Sequence, residues 1–417
     1  MKKLKIALIC GHVHRELPSL KYVARSLKKD LDADVKIIGS LAETQRTSYL
    51  LKKFSPHVVF ISQIQEEVTR NLAEYLHNSG AVICVLTVEI TYAKKNIDWY
   101  FNKRLSYTNL VDFFFVAGEE MYQDLLNITD LKKSQLFMVG SPKMDLNFME
   151  AKKFMKRAVF MKKHGIDLKR KNLFIYTTFF GRSENYINKD ESFKGNTVRA
   201  KRFYRAFRST KKAYLKDLPK LARDFPNFNV IVKPHPLEDD RAYNKIKTNN
   251  LYVVQNESFN NTLDSVDLAL HWNSTVSTEC WIQGKKTVQY SPIRTYNDML
   301  SEFRVGNPLL GTYPSLVKAI RKYTTVGLEK KYLEAQMNYL RNWYYKTDGK
   351  SGERIARVLS KKITKVPKVS YPQRYGLVYA AIRLLEKLVG VKLSRQMISL
   401  VKPNYRWRFA VNNYLPE

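Results

Sequence analysis

The chain has 417 residues, of which 44% are hydrophobic and 26% charged, and 72 lysines and arginines against 38 aspartates and glutamates leave a net charge of +34. The length and the hydrophobic content exclude a disordered chain and predict about two domains. The positive charge favours an anionic partner, which leaves nucleic acid, an acidic membrane surface and phosphorylated substrates open.

The three cysteines, Cys10, Cys84 and Cys280, are too few and too scattered for a disulfide framework, which predicts a reducing compartment. The N-terminal apolar run IALIC is too short for a signal peptide, and no apolar stretch reaches the ~20 residues of a membrane-spanning helix. No group of His and Cys has metal-ligand spacing, so neither a metal nor another cofactor is expected. We therefore expect a cytoplasmic protein.

The first part of the chain alternates continuous apolar runs with amphipathic polar segments. The apolar runs predict strands at 4–10, 33–39, 57–62, 81–88, 112–118 and 135–141. Strands that are apolar on both faces and alternate with helices indicate a parallel sheet covered on both sides. The sequence thus predicts a Rossmann-like domain over residues 1–150.

A basic stretch at 143–170 is predicted to be helical, and then the same pattern begins again. Strands are predicted at 172–179, 229–233, 251–255, 268–272 and 286–291, with a long helix at about 197–223 after the first of them. A second doubly wound domain is therefore expected over 166–325, followed by helices over 326–365, one of which is the amphipathic segment 328–345.

The tail, residues 366–417, has a different composition. Leu377, Ala381, Leu384, Leu388 and Val391 share one helical face, while nine Lys/Arg stand against two Glu in the tail as a whole. An amphipathic helix with basic and aromatic neighbours can lie on an anionic bilayer, which would make the protein peripheral to the inner face of the cell membrane. The alternative is a helix that packs back onto the protein.

The stretch VIVKPHPLEDD holds a histidine between two prolines at the end of a predicted strand. Pro234 and Pro236 restrict the backbone on both sides of His235, so little entropy is lost in aiming the imidazole. Ligands of open parallel sheets bind outside the carboxyl ends of the strands. Lys233 and His235 can supply positive charge and hydrogen bonds to a phosphate there.

The stretch HWNSTVSTECW also follows a predicted strand and leads into a predicted helix. Asn273, Ser274 and Thr275 are good N-cap types, and free backbone N–H groups at a helix start bind phosphate. Plain capping would not need Ser277 and Glu279 as well, and Glu279 can accept hydrogen bonds from ribose hydroxyls. Both stretches are therefore expected to form one nucleotide site.

Two Rossmann-like domains with KPHP and a downstream ST…E resemble glycosyltransferases of the GT-B fold. The closest likeness is to bacterial surface-carbohydrate biosynthesis proteins, with capsular Kdo transferases and CDP-glycerol glycerophosphotransferases as looser relatives. Further blocks are similar to the family's patterns: HRELPSLKYVARSL (14–27), NLFIYTTFFG (172–181), and GSPKMDL (140–146), where Lys143 replaces an arginine. The resemblance covers roughly residues 4–300.

The resemblance implies an α/β fold with two domains facing a cleft, the second binding the donor and the first the acceptor. Donor contacts are then expected from the residues at the strand exits of the second domain: Thr178, Lys233, His235, Asn273, Ser274, Thr275, Ser277 and Glu279. His14 and Arg15 are expected at the acceptor side of the cleft or in its framework.

In related transferases an acidic motif at a strand end supplies the general base, and the matching place here is Glu89 after strand 81–88. The second acid and the glycine of that motif are missing, so Glu89 is a candidate base and Glu16, beside Arg15, is the second candidate. The acidic runs around Asp32 and Glu238 lie at a turn and a helix start, and we interpret neither as a metal site.

The leading functional hypothesis is a metal-independent glycosyltransferase. It would move a sugar from a nucleotide donor, with a CMP-sugar favoured, to a cell-surface polysaccharide or glycolipid. The alternatives on the same fold are a polyol-phosphate transferase of the CDP-glycerol type and a UDP-sugar epimerase. A different class, nucleic-acid binding, is motivated by the charge and the 26 tyrosines, but the cations are spread along the chain and no standard module is present, so no nucleic-acid partner is expected.

Overall fold

The computed structural model describes residues 3–11, 13–39, 44–62, 67–87, 108–149, 154–179, 197–236 and 238–373, together with Leu384 and Leu388. Of these, the residues up to Leu146 and from Arg341 onward form one compact unit, and Asn147–Leu340 form a second. Each unit contains a six-stranded sheet. All pairings within both sheets are parallel, as predicted.

The strands of the first sheet are β1 (Lys5–Cys10), β2 (Asp34–Gly39), β3 (Val58–Ile61), β4 (Val82–Leu86), β5 (Phe113–Val116) and β6 (Leu136–Met138). Their order is β2-β1-β3-β4-β5-β6. The second sheet consists of β7 (Lys171–Tyr176), β8 (Phe228–Lys233), β9 (Leu251–Val253), β10 (Leu268–His271), β11 (Thr287–Tyr290) and β12 (Leu309–Leu310). Its order is β12-β11-β10-β7-β8-β9, so the strand order reverses between β7 and β10.

The helices alternate with the strands, as the sequence pattern predicts. In the first half of the chain they are α1 (Val13–Leu31), α2 (Thr44–Phe54), α3 (Glu67–Asn78), α4 (Glu119–Ile128), α5 (Pro142–Met149) and α6 (Arg157–Lys163). The remaining helices are α7 (Thr197–Asp224), α8 (Arg241–Asn244), α9 (Phe259–Leu263), α10 (Val276–Ile282), α11 (Tyr313–Tyr323), α12 (Lys330–Tyr344) and α13 (Ser351–Lys362). None of the helices in the described part of the chain has the length and hydrophobicity needed to cross a bilayer.

The core of the second unit explains the long helix α7. Tyr214, Leu218 and Leu221 recur at helical spacing and are buried against the sheet, where Val230 and Leu268 are fully enclosed. The sheet is apolar on both faces because helices cover both, which is the doubly wound arrangement. Together with the strand orders, this confirms the predicted GT-B class of fold for both units.

The structure adds to the predictions in three places. Strand β12 was not predicted, because a two-residue strand carries no periodicity. Within the described residues of the stretch 143–170, the helices are α5 and α6. The predicted helices over 326–365 include α12 and α13, and Ile355, Ala356 and Leu359 of α13 belong to the core of the first unit.

A buried carboxylate holds α13 in the first unit. Asp145, in the GSPKMDL stretch, is fully buried, and its carboxylate accepts hydrogen bonds from the backbone N–H groups of Gly349 (2.9 Å) and Ser351 (2.6 Å). The hydroxyl of Tyr22 donates to the carbonyl of Gly349 at 2.6 Å. The start of α13 is therefore fixed by partners more than 200 residues away in the chain.

The beginning of the predicted tail also packs on the first unit. Tyr371 is buried, its hydroxyl donates to the carbonyl of Pro56 at 2.8 Å, and its ring lies 5.8 Å from that of Tyr75. The predicted amphipathic helix lies outside the described residues apart from two positions: Leu384 and Leu388 are helical, with 61% and 73% of their surface exposed.

Candidate active site

Three strand exits meet at one edge of the second sheet. β7 lies between β8 and β10, with Tyr176 paired in register with both Lys233 and His271. The residues that follow these strands therefore line the carboxyl edge at the point where the strand order reverses. In open parallel sheets this is the place where ligands bind.

Lys233 is a buried cation at this edge. It is 6% exposed, and among the described residues its ammonium donates one hydrogen bond, to the carbonyl oxygen of Gln255 at 3.2 Å. Burial lowers the pKa of Lys233 to about 8, and the Glu257 carboxylate opposes that shift. A desolvated ammonium held by a neutral carbonyl is stabilised when an anion binds beside it.

Glu257 is already occupied by other partners. Its carboxylate accepts hydrogen bonds from Lys163 (2.6 Å), His164 (3.0 Å) and Asn261 (2.6 Å). Although burial acts in the opposite direction, these hydrogen bonds lower the pKa of Glu257 to about 2. Glu257 therefore remains a carboxylate, but its hydrogen bonds serve its own neighbours rather than Lys233.

His235 follows Lys233 in the Pro-His-Pro turn and is half-buried. Its carbonyl oxygen accepts the backbone N–H of Glu238 at 2.8 Å and lies 3.4 Å from the side-chain amide of Gln255. The backbone of His235 is thus held on two sides, while the imidazole stays partly accessible at the sheet edge.

Glu238 ties the loop after β8 to the loop after β7. Its carboxylate, buried within the unit, accepts hydrogen bonds from the Thr177 hydroxyl (2.6 Å), the Phe179 backbone N–H (3.1 Å) and the Tyr243 hydroxyl (2.5 Å). Lys211 of α7 forms an ion pair with it at 3.0 Å. Burial, together with the neighbouring carboxylate, raises the pKa of Tyr243. The sequence interpretation of Glu238 as an acid that only complements a helix dipole misses this bracing role.

Thr178 lies in the loop that Glu238 braces. It is half-buried between Thr177 and Phe179, both of which are bound by the Glu238 carboxylate. Its position at the exit of β7 is the one expected of a donor-binding residue in this fold.

The exit of β10 carries the predicted hydroxyl cluster. Thr275 is the residue before α10 and has helical backbone angles, and its side chain makes no capping hydrogen bond. Ser274 is buried, with its hydroxyl 3.4 Å from the backbone nitrogen of Val276. Asn273 is held by the Met299 carbonyl (3.3 Å) and the Ser301 backbone N–H (3.0 Å). The structure places all three residues at the edge, but Asn273 serves the neighbouring loop.

Further along α10, two hydroxyls satisfy the backbone of their own helix. Ser277 donates to the carbonyl of Ser274 at 3.0 Å, and Thr278 donates to that of Thr275 at 2.8 Å. Glu279 is 6% exposed, and its carboxylate accepts a hydrogen bond from the Asn147 side chain at 3.0 Å. The hydroxyls of this cluster are therefore not equivalent, because Ser277 and Thr278 contribute to the fold of the helix start.

A buried polar network supports the β10 exit from below. His271 is fully buried, and its Nε2 lies 3.2 Å from the side-chain oxygen of Asn307, which also accepts the Thr287 hydroxyl at 2.6 Å. The backbone nitrogen of Ser274 lies 3.5 Å from the His271 Nδ1. Burial lowers the pKa of His271 to about 4, so the imidazole is neutral at physiological pH. His271 was not predicted as a functional residue, because in the sequence it is only the last residue of an apolar strand.

The candidates predicted in the first unit are Glu89, Glu16, His14 and Arg15. Glu89 lies outside the described residues. Glu16 belongs to the first turn of α1, and its carboxylate accepts the backbone N–H of Gly11 at 2.7 Å, which fixes the turn between β1 and α1. His14 and Arg15 lie in α1, and their side chains fall outside the described part. Within the described residues no group of His, Cys, Asp and Glu forms a metal-binding cluster.

The family model described as CDP-Glycerol:Poly(glycerophosphate) glycerophosphotransferase matches residues 86–361. No curated protein matches the chain.

Solved structures share the fold at low sequence identity. A UDP-GlcNAc 2-epimerase from Neisseria meningitidis bound to UDP-GlcNAc is 11% identical, with a TM-score of 0.60 over 86% of this chain and 100% of that one. One from Methanocaldococcus jannaschii in complex with UDP-GlcNAc and UDP is 17% identical, with a TM-score of 0.55 over 86% and 100%. The wall teichoic acid polymerase TagF is 12% identical, with a TM-score of 0.55 over 86% and 88%.

The family match confirms the expectation of a transferase, and the solved structures share the expected GT-B fold. They favour the polyol-phosphate alternative over the leading hypothesis of a sugar transferase with a CMP-sugar donor.

Proposed function

The chain belongs to the CDP-glycerol:poly(glycerophosphate) glycerophosphotransferase family, and we propose that it transfers a polyol phosphate from a CDP-activated donor to a surface-polymer acceptor. In this reaction an acceptor hydroxyl oxygen attacks the phosphorus that carries the polyol. A new phosphodiester bond forms, the bond from that phosphorus to the CMP oxygen breaks, and CMP leaves. The hydroxyl proton passes to a base.

The observation that carries the proposal is the buried ammonium of Lys233 at the switch point of the second sheet. Burial of a lysine beside a carbonyl costs free energy, which an anionic ligand recovers. The donor pyrophosphate supplies that anion, and the developing charge on the leaving CMP is met by the same cation. We assign to His235, two residues further along and half-buried, a further hydrogen bond to the same phosphates.

The β10 exit completes the proposed donor site. Ser274 and Thr275 face the same sheet edge as Lys233, and we assign them to the phosphates with Thr178. Glu279 carries the ribose contact, because one turn of helix separates it from the phosphate-binding loop. Asn273 and Ser277 hold the loop itself, as their hydrogen bonds to Ser301 and Ser274 indicate. Glu89 stays the predicted base, with Glu16 as the second candidate.

We also propose that the protein lies peripherally on an anionic membrane through its C-terminal tail. Leu384 and Leu388 lie four residues apart on one helical face, and both are exposed. Because Tyr371 is buried, a truncation that tests the tail should begin at residue 374. Sedimentation with anionic vesicles is compared between the full chain and this truncation. Equal sedimentation of the two proteins contradicts the proposal.

A nucleotide panel tests the donor class directly. CDP and CDP-glycerol should raise the melting temperature more than UDP, GDP or UDP-GlcNAc, and CDP-glycerol with a polyol-phosphate acceptor should release CMP. Stabilisation by UDP-GlcNAc with formation of its 2-epimer would instead establish an epimerase. Preference for a CMP-sugar would restore the sugar-transferase hypothesis.

Substitutions at the two ends of the proposed site localise the nucleotide. His235→Ala and Glu279→Ala should each weaken CDP binding by about tenfold to a hundredfold, since each removes a charge-assisted hydrogen bond. Asp298→Asn serves as a control, because its carboxylate pairs with the exposed Arg202 at 2.7 Å. Unchanged affinity in both variants would place the nucleotide elsewhere.

A further inference from the structure

Helix α7 carries a row of cations on the face opposite the core. Five lysines and arginines recur at intervals of four, three, four and four residues: Lys201, Arg205, Arg208, Lys212 and Lys216. At 3.6 residues per turn they fall within an arc of about 80°, and at 1.5 Å per residue they extend over about 22 Å. We call this row the α7 stripe.

The stripe is exposed, and its charges are not paired within the described part of the chain. All five residues are classed as exposed, and within the described residues none of them forms an ion pair. The cations beside the stripe are paired instead: Arg202 binds Asp298 at 2.7 Å, and Lys211 binds Glu238 at 3.0 Å. The cations of α7 therefore fall into two groups. The paired ones hold α7 against neighbouring segments, and those of the stripe face solvent.

The stripe begins at the edge that holds the proposed donor site. Arg202 donates to the carbonyl of Thr295, in the segment after β11, and Lys211 reaches Glu238, in the loop after β8. These contacts fix the N-terminal half of α7 at the carboxyl edge of the sheet. From there the stripe leads away along the surface of the second unit.

On this basis, and resting on the function proposed above, we propose that the α7 stripe binds the growing acceptor as a linear polyphosphodiester. Such a chain carries one negative charge per repeat, and successive stripe cations are spaced by about 5.6 Å along the helix axis. A row one side chain wide fits a linear polyanion. Arg205 and Arg208 add bidentate hydrogen bonding to phosphate oxygens.

The composition of this face argues against insertion into a bilayer. Interfacial helices bury a broad apolar face among lipid chains. Among the described side chains on this face of α7, the large apolar one that is exposed is Val198, which precedes the first of the cations. The stripe therefore offers electrostatic attraction and almost no apolar area.

The test removes three central charges without changing helix propensity. Arg205→Gln, Arg208→Gln and Lys212→Gln are combined in the full-length protein, since glutamine forms helix about as well as arginine and lysine. The control combines Lys245→Gln, Lys247→Gln and Lys318→Gln, which remove the same charge from exposed positions of the same unit. Fluorescence titration measures binding to poly(glycerol phosphate), and CMP release from CDP-glycerol measures transfer to a short glycerol phosphate dimer.

The stripe variant should bind the polymer about tenfold more weakly at low salt, and the slope of log affinity against log salt should become shallower by about 2. The control variant should keep its affinity for the polymer. Both variants should transfer to the short dimer like the parent, since the dimer cannot span the stripe.

Equal losses of polymer affinity in the two variants, or no loss in either, would overturn the proposal. So would loss of binding to anionic vesicles with polymer binding retained, which would assign the stripe to a membrane. Absence of transfer to the dimer in every protein would instead count against the proposed function.

Discussion

The carboxyl edges of the two sheets differ although both sheets have six parallel strands. In the second sheet the strand exits contain desolvated titratable groups, among them Lys233, Glu238 and His271. In the first sheet the exits of β5 and β6 contain glycines on which backbone packs directly. A Cβ on Gly118 would lie closer than 3.0 Å to backbone atoms of Asn342 and Trp343.

The described exits of the two sheets are therefore packed differently. Backbone lies close to Gly118 and Gly140, where an added Cβ would meet it. Buried polar groups at the second edge are costly unless they are held in place or meet a ligand. The second edge holds them in networks and leaves the Lys233 ammonium with a carbonyl partner, as we expect of an anion-binding site. The following predictions test this difference between the two edges.

The largest effect is expected at the exit of β4, which is predicted to carry the general base. Glu89→Gln keeps size and hydrogen bonding but cannot accept the acceptor's proton. Turnover should fall by about 10²–10⁴-fold with CDP affinity nearly unchanged, the usual contribution of a general base. Steady-state kinetics and a CDP titration on the same variant check this. Near-normal turnover would move the assignment to Glu16.

Removal of the charge at the centre of the second edge should destabilise that unit. Glu238→Gln leaves Lys211 without its ion-pair partner and turns an amide group toward three donors, so the free energy of unfolding should fall by about 2–4 kcal/mol. Asp298→Asn, which breaks an exposed ion pair, should cost less than about 1 kcal/mol. Denaturant unfolding measures both. Equal losses would mean that Glu238 does not brace the two loops.

At the first edge, a single added methyl group tests the close packing. Gly118 has extended backbone angles, so its substitution carries no conformational penalty of its own. Gly118→Ala should nevertheless cost about 1–3 kcal/mol, because the contacting atoms are backbone and cannot rotate away. Gly284→Ala is the counterpart: it meets open space but has a φ of +65°, so only about 1 kcal/mol of strain is expected. A smaller loss for Gly118→Ala than for Gly284→Ala would contradict close packing at that exit.

The smallest effect is a pH dependence of nucleotide binding. The pKa of Lys233 is about 8, so the ammonium is present below that pH and is lost above it. If CDP binds the charged form, its affinity should fall about tenfold between about pH 7 and pH 9, a range above the ordinary titration of histidine and of phosphate. Lys233→Met should bind CDP weakly and without this dependence. A flat profile for the parent protein would remove Lys233 from the donor site.

Much of the fold and the position of the candidate site could be predicted from local patterns. Apolar runs at regular spacing locate each strand except β12, because a strand buried on both faces must be apolar throughout. The positions of KPHP and HWNSTVSTECW after such runs place Lys233, His235 and Ser274 at one sheet edge, since parallel strands end on the same side. These features depend on short segments, and the sequence by itself determines them.

The partners of the polar groups, in contrast, depend on the tertiary structure. Glu238 is one of three consecutive acids in the sequence, and its burial between two loops comes from β7 and β8 pairing. Asp145 binds the backbone around Ser351, more than 200 residues away. Ser277 donates its hydroxyl to the carbonyl of Ser274, which also accepts the Ser277 backbone N–H at the helix start. A hydrogen bond depends on which groups lose water together, and that depends on contacts between segments distant in the chain, which no local pattern records.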